Sequence, residues 1–218
     1  MGKPQPTIPD RLVKIDQLIA LEHAHLTASD DCYHLWEWDG APYDLSAATN
    51  FIGNFQRHPR FKDLPDKPWP WRYKQYAIQH AADAIGRTML PEWKKSLFVP
   101  VPPSKIKGDP GHDSRLIDTL KLTDNGNLRC NELVLQLINT ESRAKNIPPI
   151  TRANNWKLSL DSLKKPPEHF VVFDDLLTGG SHFSAMKIVL ARKFKGVPVS
   201  GLFLARRVLP SATADPSE

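Results

Sequence analysis

The amino-acid sequence predicts an α/β fold in which a central parallel sheet is flanked by helices. Strand-like and helical runs alternate along most of the chain, which is the pattern of a parallel sheet covered on both faces. The run at residues 170–173 is apolar throughout and rich in β-branched and aromatic residues, as expected for a strand buried on both faces. Charged and turn-forming residues follow this run directly, at the edge of the sheet where such folds bind ligands.

The N-terminal region predicts a less regular mixture of elements. Apolar residues at helical spacing predict a helix over residues 12–24. Partial alternation over residues 32–40 predicts a strand that ends in a turn at Asp39 and Gly40, compatible with the first arm of a hairpin. A short helix is expected at residues 47–55.

Residues 56–72 form a proline-rich loop, because prolines are excluded from the interior of a regular helix. The loop combines basic and aromatic side chains, and this combination has two interpretations. Charge and ring stacking suit contact with a nucleic acid, whereas tryptophan and proline together commonly pack a loop onto its own domain. The side chains concerned are Arg57, Arg60, Phe61, Lys62, Lys67, Trp69, Trp71 and Arg72.

The elements after this loop alternate more clearly. An amphipathic helix is predicted over residues 73–89, and helical spacing over residues 132–145 predicts a helix that turns Leu133, Leu137 and Ile138 inward. No strand is evident between residues 101 and 170. The other predicted elements are strands at 97–101, 170–173 and 197–204 and helices at 114–122 and 183–194.

Composition limits the classes of function. The chain has 218 residues, a net charge of +5 and an isoelectric point near 9.2, which favours anionic ligands such as phosphates. Cys32 and Cys130 alone make no disulfide framework, so we expect a reducing, cytoplasmic compartment. The sequence has no run of roughly 18 apolar residues and no apolar signal segment at its start, so no membrane partner is expected.

Residues 169–182 are the most informative part of the sequence. Asp174 and Asp175 sit where the strand at 170–173 is expected to end, and a glycine-bearing turn and a helical run follow. Adjacent glycines allow backbone N–H groups to approach an anion closely, and a helix start adds partial positive charge. Carboxylates beside such a turn suit sugar hydroxyls or a hydrated metal ion. The segment therefore predicts a phosphate site with an acidic pair beside it.

This segment resembles the phosphoribosyl pyrophosphate (PRPP) motif of type I phosphoribosyltransferases. That motif has four apolar residues, two acidic residues, two apolar residues and a Thr/Gly-rich phosphate loop, and residues 170–177 match it position by position. Two registers of the loop remain open. In the first, Gly179 stands where the family usually has Thr or Ser, and His182 stands where a closing Thr is common. In the second, the loop is one residue shorter and residues 178–181 align with Thr-Gly-Gly-Thr.

A second segment supports the resemblance. The strand-like run at 97–101 leads into a proline-rich turn that contains Ser104 and Lys105, followed by a glycine-containing segment at 108–115. This arrangement is similar to the ComF-like branch of the family, in which Pro-Val-Pro precedes a basic turn. The resemblance covers roughly residues 95–208, and the order and separation of its two motifs add weight to it.

The resemblance implies a PRPP site of known organisation. Asp174 and Asp175 would bind ribose hydroxyls or water on Mg²⁺, a cation held by the ligand rather than directly by the protein. Ser104 and Lys105 would hold the pyrophosphate. The 5′-phosphate would be cradled by Thr178, Gly179, Gly180, Ser181 and His182.

The family also implies a domain organisation and a mobile closing loop. Residues 1–70 would form an N-terminal α+β extension that serves as a hood, residues 71–208 the core, and residues 209–218 a disordered tail. The closing loop belongs at 146–163 and is expected to be irregular. The basic side chains expected to reach a pyrophosphate from this region are Arg143, Arg152 and Lys157.

Three functions follow from these observations. The first is transfer of phosphoribose from PRPP to a nitrogen base with release of pyrophosphate. The second is binding of PRPP or a phosphorylated nucleotide without catalysis, as a sensor. The third is a role as a subunit of a protein–nucleic-acid assembly in DNA uptake or defence, with the proline-rich loop as the contact.

Overall fold

The computed structural model describes residues 5–42, 46–64, 66, 68–141, 147–161, 163 and 165–208. The strands are β1 Val13–Lys14, β2 Asp31–Trp38, β3 Leu97–Pro100, β4 Val134–Gln136, β5 Trp156–Leu158, β6 Phe170–Leu177 and β7 Val199–Arg207. The helices are α1 Gln17–Ala20, α2 Ala47–Phe55, α3 Trp69–Thr88, α4 Arg115–Leu122, α5 Pro149–Asn154 and α6 Ser181–Ala191. Short 3-10 helices cover Pro59–Phe61, Pro91–Lys95 and Thr123–Gly126.

The central sheet has five strands in the order β1-β2-β7-β6-β3. The four strands from β2 to β3 are parallel to one another, and β1 pairs antiparallel with β2 at one edge. A separate two-stranded antiparallel sheet joins β4 and β5. The predicted α/β class with a mostly parallel sheet and flanking helices is therefore confirmed.

The strands β6 and β7 lie in the hydrophobic core. All four residues at 170–173 are fully buried, which agrees with the strand buried on both faces that their sequence predicts. On β7, a Cβ atom at Gly201 would lie 2.8 Å from the Cys32 sulfur and 3.1 Å from the Phe183 ring. Only glycine therefore allows the neighbouring strand and α6 to pack this closely against β7.

The crossover connections that follow β3 and β6 run toward opposite edges of the central sheet. After β3 and α4 the chain returns to the outer side of β3, where Phe98 forms a parallel bridge with Cys130. After β6 and α6 it returns on the opposite side, where β7 pairs with β6. Because such crossovers are right-handed, the opposite directions place α4 and α6 on opposite faces of the sheet. The carboxyl ends of β3 and β6 thus open into a crevice of the kind that binds ligands in α/β folds.

The N-terminal predictions are partly wrong. The predicted helix at 12–24 is replaced by β1, which is very short, and by the single turn α1, because the chain at Val13 and Lys14 pairs with β2 instead. The strand predicted at 32–40 exists as β2, but it is the second arm of that antiparallel pair and also pairs parallel with β7. Residues 1–70 therefore contribute two strands to the central sheet. The predicted tail at 209–218 lies outside the described residues.

The region between β3 and β6 departs most from the predictions. The helix predicted at 132–145 is wrong, since its first part forms β4, and Leu137 and Ile138 are exposed rather than inward. The closing loop predicted to be irregular contains α5 and β5. β5 pairs only with β4, so its hydrogen bonds lie outside the central sheet. Within the described residues, the central sheet extends beyond β3 only as the bridge between Phe98 and Cys130.

Candidate functional site

The acidic pair lies inside β6 rather than after its end. β3 pairs with β6 as far as Pro100 and Phe173, and the prolines that follow lack the N–H groups needed to continue the pairing. β7 continues alongside β6 to its end at Leu177. The expectation that the strand ends at Asp174 and Asp175 is therefore wrong, and both carboxylates are buried at 5% exposure. One edge of β6 opens at these residues into the crevice beside β3.

A cavity of about 250 Å³ occupies this crevice. The cavity brings together residues that are distant in sequence. They come from the loop after β3, from α5, from β6 and from the turn after β6. The predicted site residues that border it are Ser104, Arg152, Asp174, Asp175, Thr178 and His182. Further bordering side chains that the sequence did not single out for the site are Gln56, Arg115, Glu132 and Trp156.

Asp175 is held by a network of donors. One of its oxygens accepts hydrogen bonds from Arg115 Nε at 3.0 Å, Arg115 Nη2 at 2.7 Å and Gln56 Nε2 at 3.0 Å. Arg115 Nη1 also donates to Asp113 at 2.7 Å. Burial disfavours the charge on Asp175, yet the guanidinium and these hydrogen bonds hold the pKa of Asp175 below its ordinary value. Asp175 is therefore an ionised carboxylate that is neutralised by a protein cation.

Asp174 has a different environment. Burial raises the pKa of Asp174, and the neighbouring His182 only partly offsets this effect. His182 Nδ1 lies 2.9 Å from one carboxylate oxygen, and the backbone N–H of Asp175 donates to the other at 2.9 Å. His182 is therefore a partner of the acidic pair as well as a wall of the cavity. Two adjacent carboxylates with pKa values displaced in opposite directions are a common feature of sites that handle protons.

The phosphate loop begins at Thr178, which borders the cavity. Gly180 has φ +79° and caps the start of α6, and a Cβ atom there would lie 2.9 Å from the Leu26 side chain. Glycine is thus required at this position for both conformation and space. Gly179 also packs beside the N-terminal segment, near the ring of His25. Neither glycine borders the cavity.

Ser181 is engaged with α5 and its preceding turn. Its hydroxyl donates to the Ile147 carbonyl at 2.7 Å and accepts from Arg152 Nε at 3.0 Å. Burial lowers the pKa of Arg152, and the Asp174 charge opposes this change. Arg152 therefore ties α5 to the phosphate loop and reaches the cavity from the other side. Arg143, predicted with it, lies outside the described residues.

Lys105 and Lys157 lie together but not in the cavity. Both border a neighbouring groove of about 260 Å³, which they share with Lys107. The groove and the cavity have a common wall that includes Glu132 and Gln136. Ser104 is thus the only residue of the predicted pyrophosphate pair that borders the cavity itself.

The basic residues behind Asp175 are not among the predicted site residues. Lys74 is 1% exposed and donates to the carbonyls of Phe55 and Arg57 at 3.0 and 2.8 Å and to Asp113 at 2.8 Å. A signal for Lys74 exists, because it stands at helical spacing with the buried alanines of α3. For Arg115 no local signal exists, because its partner is 60 residues away.

The prediction of a loop over residues 56–72 is partly wrong, because residues 69–72 belong to α3 and Pro59–Phe61 form a 3-10 helix. The guanidinium of Arg60 lies 5.0 Å from the ring centre of Phe61, and the ammonium of Lys74 lies 5.8 Å from that of Trp71. Trp69 is half exposed. Lys67 lies outside the described residues. Both interpretations of this loop therefore remain open.

Two sequence comparisons identify no relative of this chain. A scan of the chain against models of protein families gives no match, and a search of curated proteins gives no significantly similar sequence. Among the described helices, none combines the length and apolar character that crossing a membrane requires. Among the described side chains, no cluster of three or more His, Cys, Asp or Glu is arranged to hold a metal ion.

Proposed function

We propose that this protein binds a phosphorylated ribose, either PRPP or a nucleoside 5′-phosphate, in the cavity at the carboxyl ends of β3 and β6. The observation that carries this proposal is the buried pair Asp174 and Asp175 at the cavity wall. The pair lies near the end of β6, and a short turn connects that strand to the start of α6. Carboxylates suit ribose hydroxyls, and the first N–H groups of α6 and its partial positive charge suit a phosphate. The resemblance to type I phosphoribosyltransferases, nearest to the ComF-like branch, supports the same ligand.

The residues divide between the parts of this ligand. Asp174 and Asp175 bind the ribose, and residues 178–182 surround the 5′-phosphate. Ser104 contacts the pyrophosphate from the cavity wall, with Lys105 in the adjoining groove. Mg²⁺ fits this site only as a cation carried by the ligand and its waters, because both carboxylates already have protein partners and the described residues form no cluster of metal ligands. Bound in this way, Mg²⁺ would neutralise charge on the pyrophosphate.

Transfer to a nitrogen base is the reaction that such a site supports. The base would form a bond to C1 of the ribose as the bond from C1 to pyrophosphate breaks, so that pyrophosphate leaves with the bonding electrons. Positive charge that develops on the sugar ring would be stabilised by the ionised Asp175. The other residues of the site would contribute positioning rather than covalent chemistry.

A binding function without transfer is the second candidate. The hold of Arg115 on Asp175 favours it, because two hydrogen bonds from a guanidinium compete with any ligand for that carboxylate. In this case the protein would sense PRPP or a nucleotide. For either candidate we propose a reducing cytoplasm as the compartment, since Cys32 and Cys130 are both free thiols.

Calorimetric titration with Mg²⁺-PRPP tests the proposal. We expect wild-type protein to bind and a variant with both Asp174→Asn and Asp175→Asn to lose at least about tenfold in affinity. Asp63→Asn, at an exposed position away from the cavity, is the control and should bind as the wild type does. Absence of binding by the wild type, or equal binding by all three proteins, would refute the proposal. Release of pyrophosphate in the presence of candidate bases then separates transfer from sensing.

A further inference from the structure

A short segment of the N-terminal region lies directly on the phosphate loop. We call residues 23–26 the strap. His23 Nδ1 contacts the Thr178 carbonyl, and the backbone N–H of His25 donates to the Gly179 carbonyl at 2.8 Å. The strap is itself a closed turn, in which the N–H of Leu26 donates to the His23 carbonyl at 2.9 Å.

Two more contacts fix the strap to the start of α6. The hydroxyl of Ser184 donates to the His25 carbonyl at 2.5 Å. The side chain of Leu26 covers Gly180 so closely that a Cβ atom at the glycine would lie 2.9 Å from it. Four contacts from one short segment therefore meet four residues of the loop and the first turn of the helix.

These contacts determine which way the loop peptides face. No peptide bond in the described residues is cis, so each N–H points away from the carbonyl of the residue before it. Because the Thr178 and Gly179 carbonyls point at the strap, the N–H groups of Gly179 and Gly180 point away from it. Successive N–H groups that face one side in this way form a concave site for an anion.

The His23 ring is suited to hold the Thr178 carbonyl in one orientation. A carbonyl oxygen can only accept, so His23 Nδ1 carries the proton and donates to Thr178. The ring is 2% exposed, and its Nε2 atom has no hydrogen-bond partner among the described residues. Burial lowers the pKa of His23, which favours the neutral ring with a single donor. That single donor is committed to the phosphate loop.

We propose that the strap positions the phosphate loop, and that His23 is a positioning residue which turns the N–H groups of Gly179 and Gly180 away from the strap, the orientation in which they could donate to a 5′-phosphate held by the loop. The identity of the ligand rests on the function proposed above, whereas the orientation of the loop does not. The strap thereby gives the N-terminal region a part in the site that its sequence does not reveal. Without the donor at His23, the peptide between Thr178 and Gly179 loses the contact that fixes its plane.

Two substitutions separate the donor from the bulk of the ring. His23→Leu removes the donor but keeps an apolar group of similar size, whereas His23→Asn places an amide N–H close to the position of Nδ1. With ribose 5-phosphate as the probe in calorimetry, we expect His23→Leu to weaken binding about tenfold and His23→Asn to stay within about threefold of wild type. Equal loss in both variants, or no loss in either, would overturn the proposal.

His34 provides a matched control. It is also buried, donates from Nδ1 to a backbone carbonyl, that of Trp36 at 3.0 Å, and has an unpartnered Nε2 atom, so its ring nitrogens make no hydrogen bond to the loop within the described residues. His34→Leu should therefore leave ribose 5-phosphate binding unchanged. A loss equal to that of His23→Leu would assign the effect to general stability and contradict the proposal.

A readout without ligand separates this inference from the proposed function. In the ligand-free protein, His23→Leu should shift the backbone amide resonances of Gly179 and Gly180, and His34→Leu should not. If the wild type binds neither Mg²⁺-PRPP nor ribose 5-phosphate, the proposed function is wrong, and the amide shifts alone decide whether the strap orients the loop. Unchanged resonances in His23→Leu would overturn the inference.

Discussion

Arg115 donates two hydrogen bonds to a single carboxylate oxygen of Asp175, from Nε at 3.0 Å and from Nη2 at 2.7 Å. Both side chains are largely buried, and Arg115 also forms an ion pair with Asp113. The neighbouring Asp174 instead lies 2.9 Å from Nδ1 of His182 and accepts a hydrogen bond from the backbone N–H of Asp175. Adjacent acids of the same type therefore have pKa values displaced in opposite directions, that of Asp175 below and that of Asp174 above the ordinary aspartate value. This difference between the two acids has measurable consequences.

Substitution of each acid by asparagine should have unequal effects on stability. Asp175→Asn leaves the buried guanidinium of Arg115 without one of its two carboxylates, so we expect a loss of about 3 kcal/mol in the free energy of unfolding. Asp174→Asn keeps an oxygen that accepts from His182 and removes a poorly solvated charge, so a change within about 1 kcal/mol is expected. Urea unfolding of both variants at pH 7 measures the difference. Equal losses would show that the two environments are not distinct.

The pH dependence of stability should also separate the acids. Because the pKa of Asp175 is lowered in the folded protein, its contribution is present above the ordinary aspartate pKa and is lost as pH falls through the folded value. Because the pKa of Asp174 is raised, folding loses stability as pH rises from the ordinary value to the folded one. The free energy of unfolding of the Asp174→Asn variant should therefore increase relative to that of wild type as pH rises across that interval. Above the interval the difference between the two should stay constant. A difference that shrinks with rising pH would contradict this prediction.

The local elements of the fold could be predicted because their causes are local. The buried strand at 170–173 and the helix at 73–89 follow from runs of apolar residues with the period of each structure. The helix predicted at 132–145 is wrong because the same apolar spacing is compatible with a short antiparallel strand. There β4 takes its hydrogen bonds from β5, about 20 residues further along the chain, and Leu137 remains exposed.

The candidate site could be predicted only as far as its motif extends. Asp174 and Asp175 were found because they follow a recognisable strand and precede a glycine turn. Arg115 was not found, because its pairing with Asp175 depends on how α4 returns over the sheet. The strap carries no sequence signal for the same reason, since His23 and Thr178 are 155 residues apart in sequence. Contacts between residues that are distant in sequence leave no recognisable pattern in a single sequence.

Gly180→Ala should disturb the strap as well as the backbone. The left-handed conformation alone costs an alanine about 1 kcal/mol, and the new methyl group would also overlap Leu26 at 2.9 Å. We expect a total loss of at least about 2 kcal/mol in the free energy of unfolding. Thermal or urea unfolding measures it.

Gly196 supplies the control for this substitution. It has the same φ of +79°, but a Cβ atom there would meet nothing within 4 Å. Gly196→Ala should therefore cost only the backbone part, about 1 kcal/mol. Adding Leu26→Ala should relieve Gly180→Ala but not Gly196→Ala. If both glycine variants lose the same stability, the overlap with Leu26 has no energetic effect.

Lys74 should make stability increase under alkaline conditions. Burial lowers the pKa of Lys74 from 10.5 to about 8, although Asp113 opposes the change. Between these values the unfolded chain binds a proton that the folded protein has released, so the free energy of unfolding rises with pH across that interval. Lys74→Met removes the titrating ammonium group. The free energy of unfolding of wild type relative to Lys74→Met should therefore rise from about pH 8 to 10.5 and then level off. Lys94→Met, at an exposed position, should show a constant difference. A constant difference for Lys74→Met as well would mean that its three acceptors keep the ammonium charged throughout.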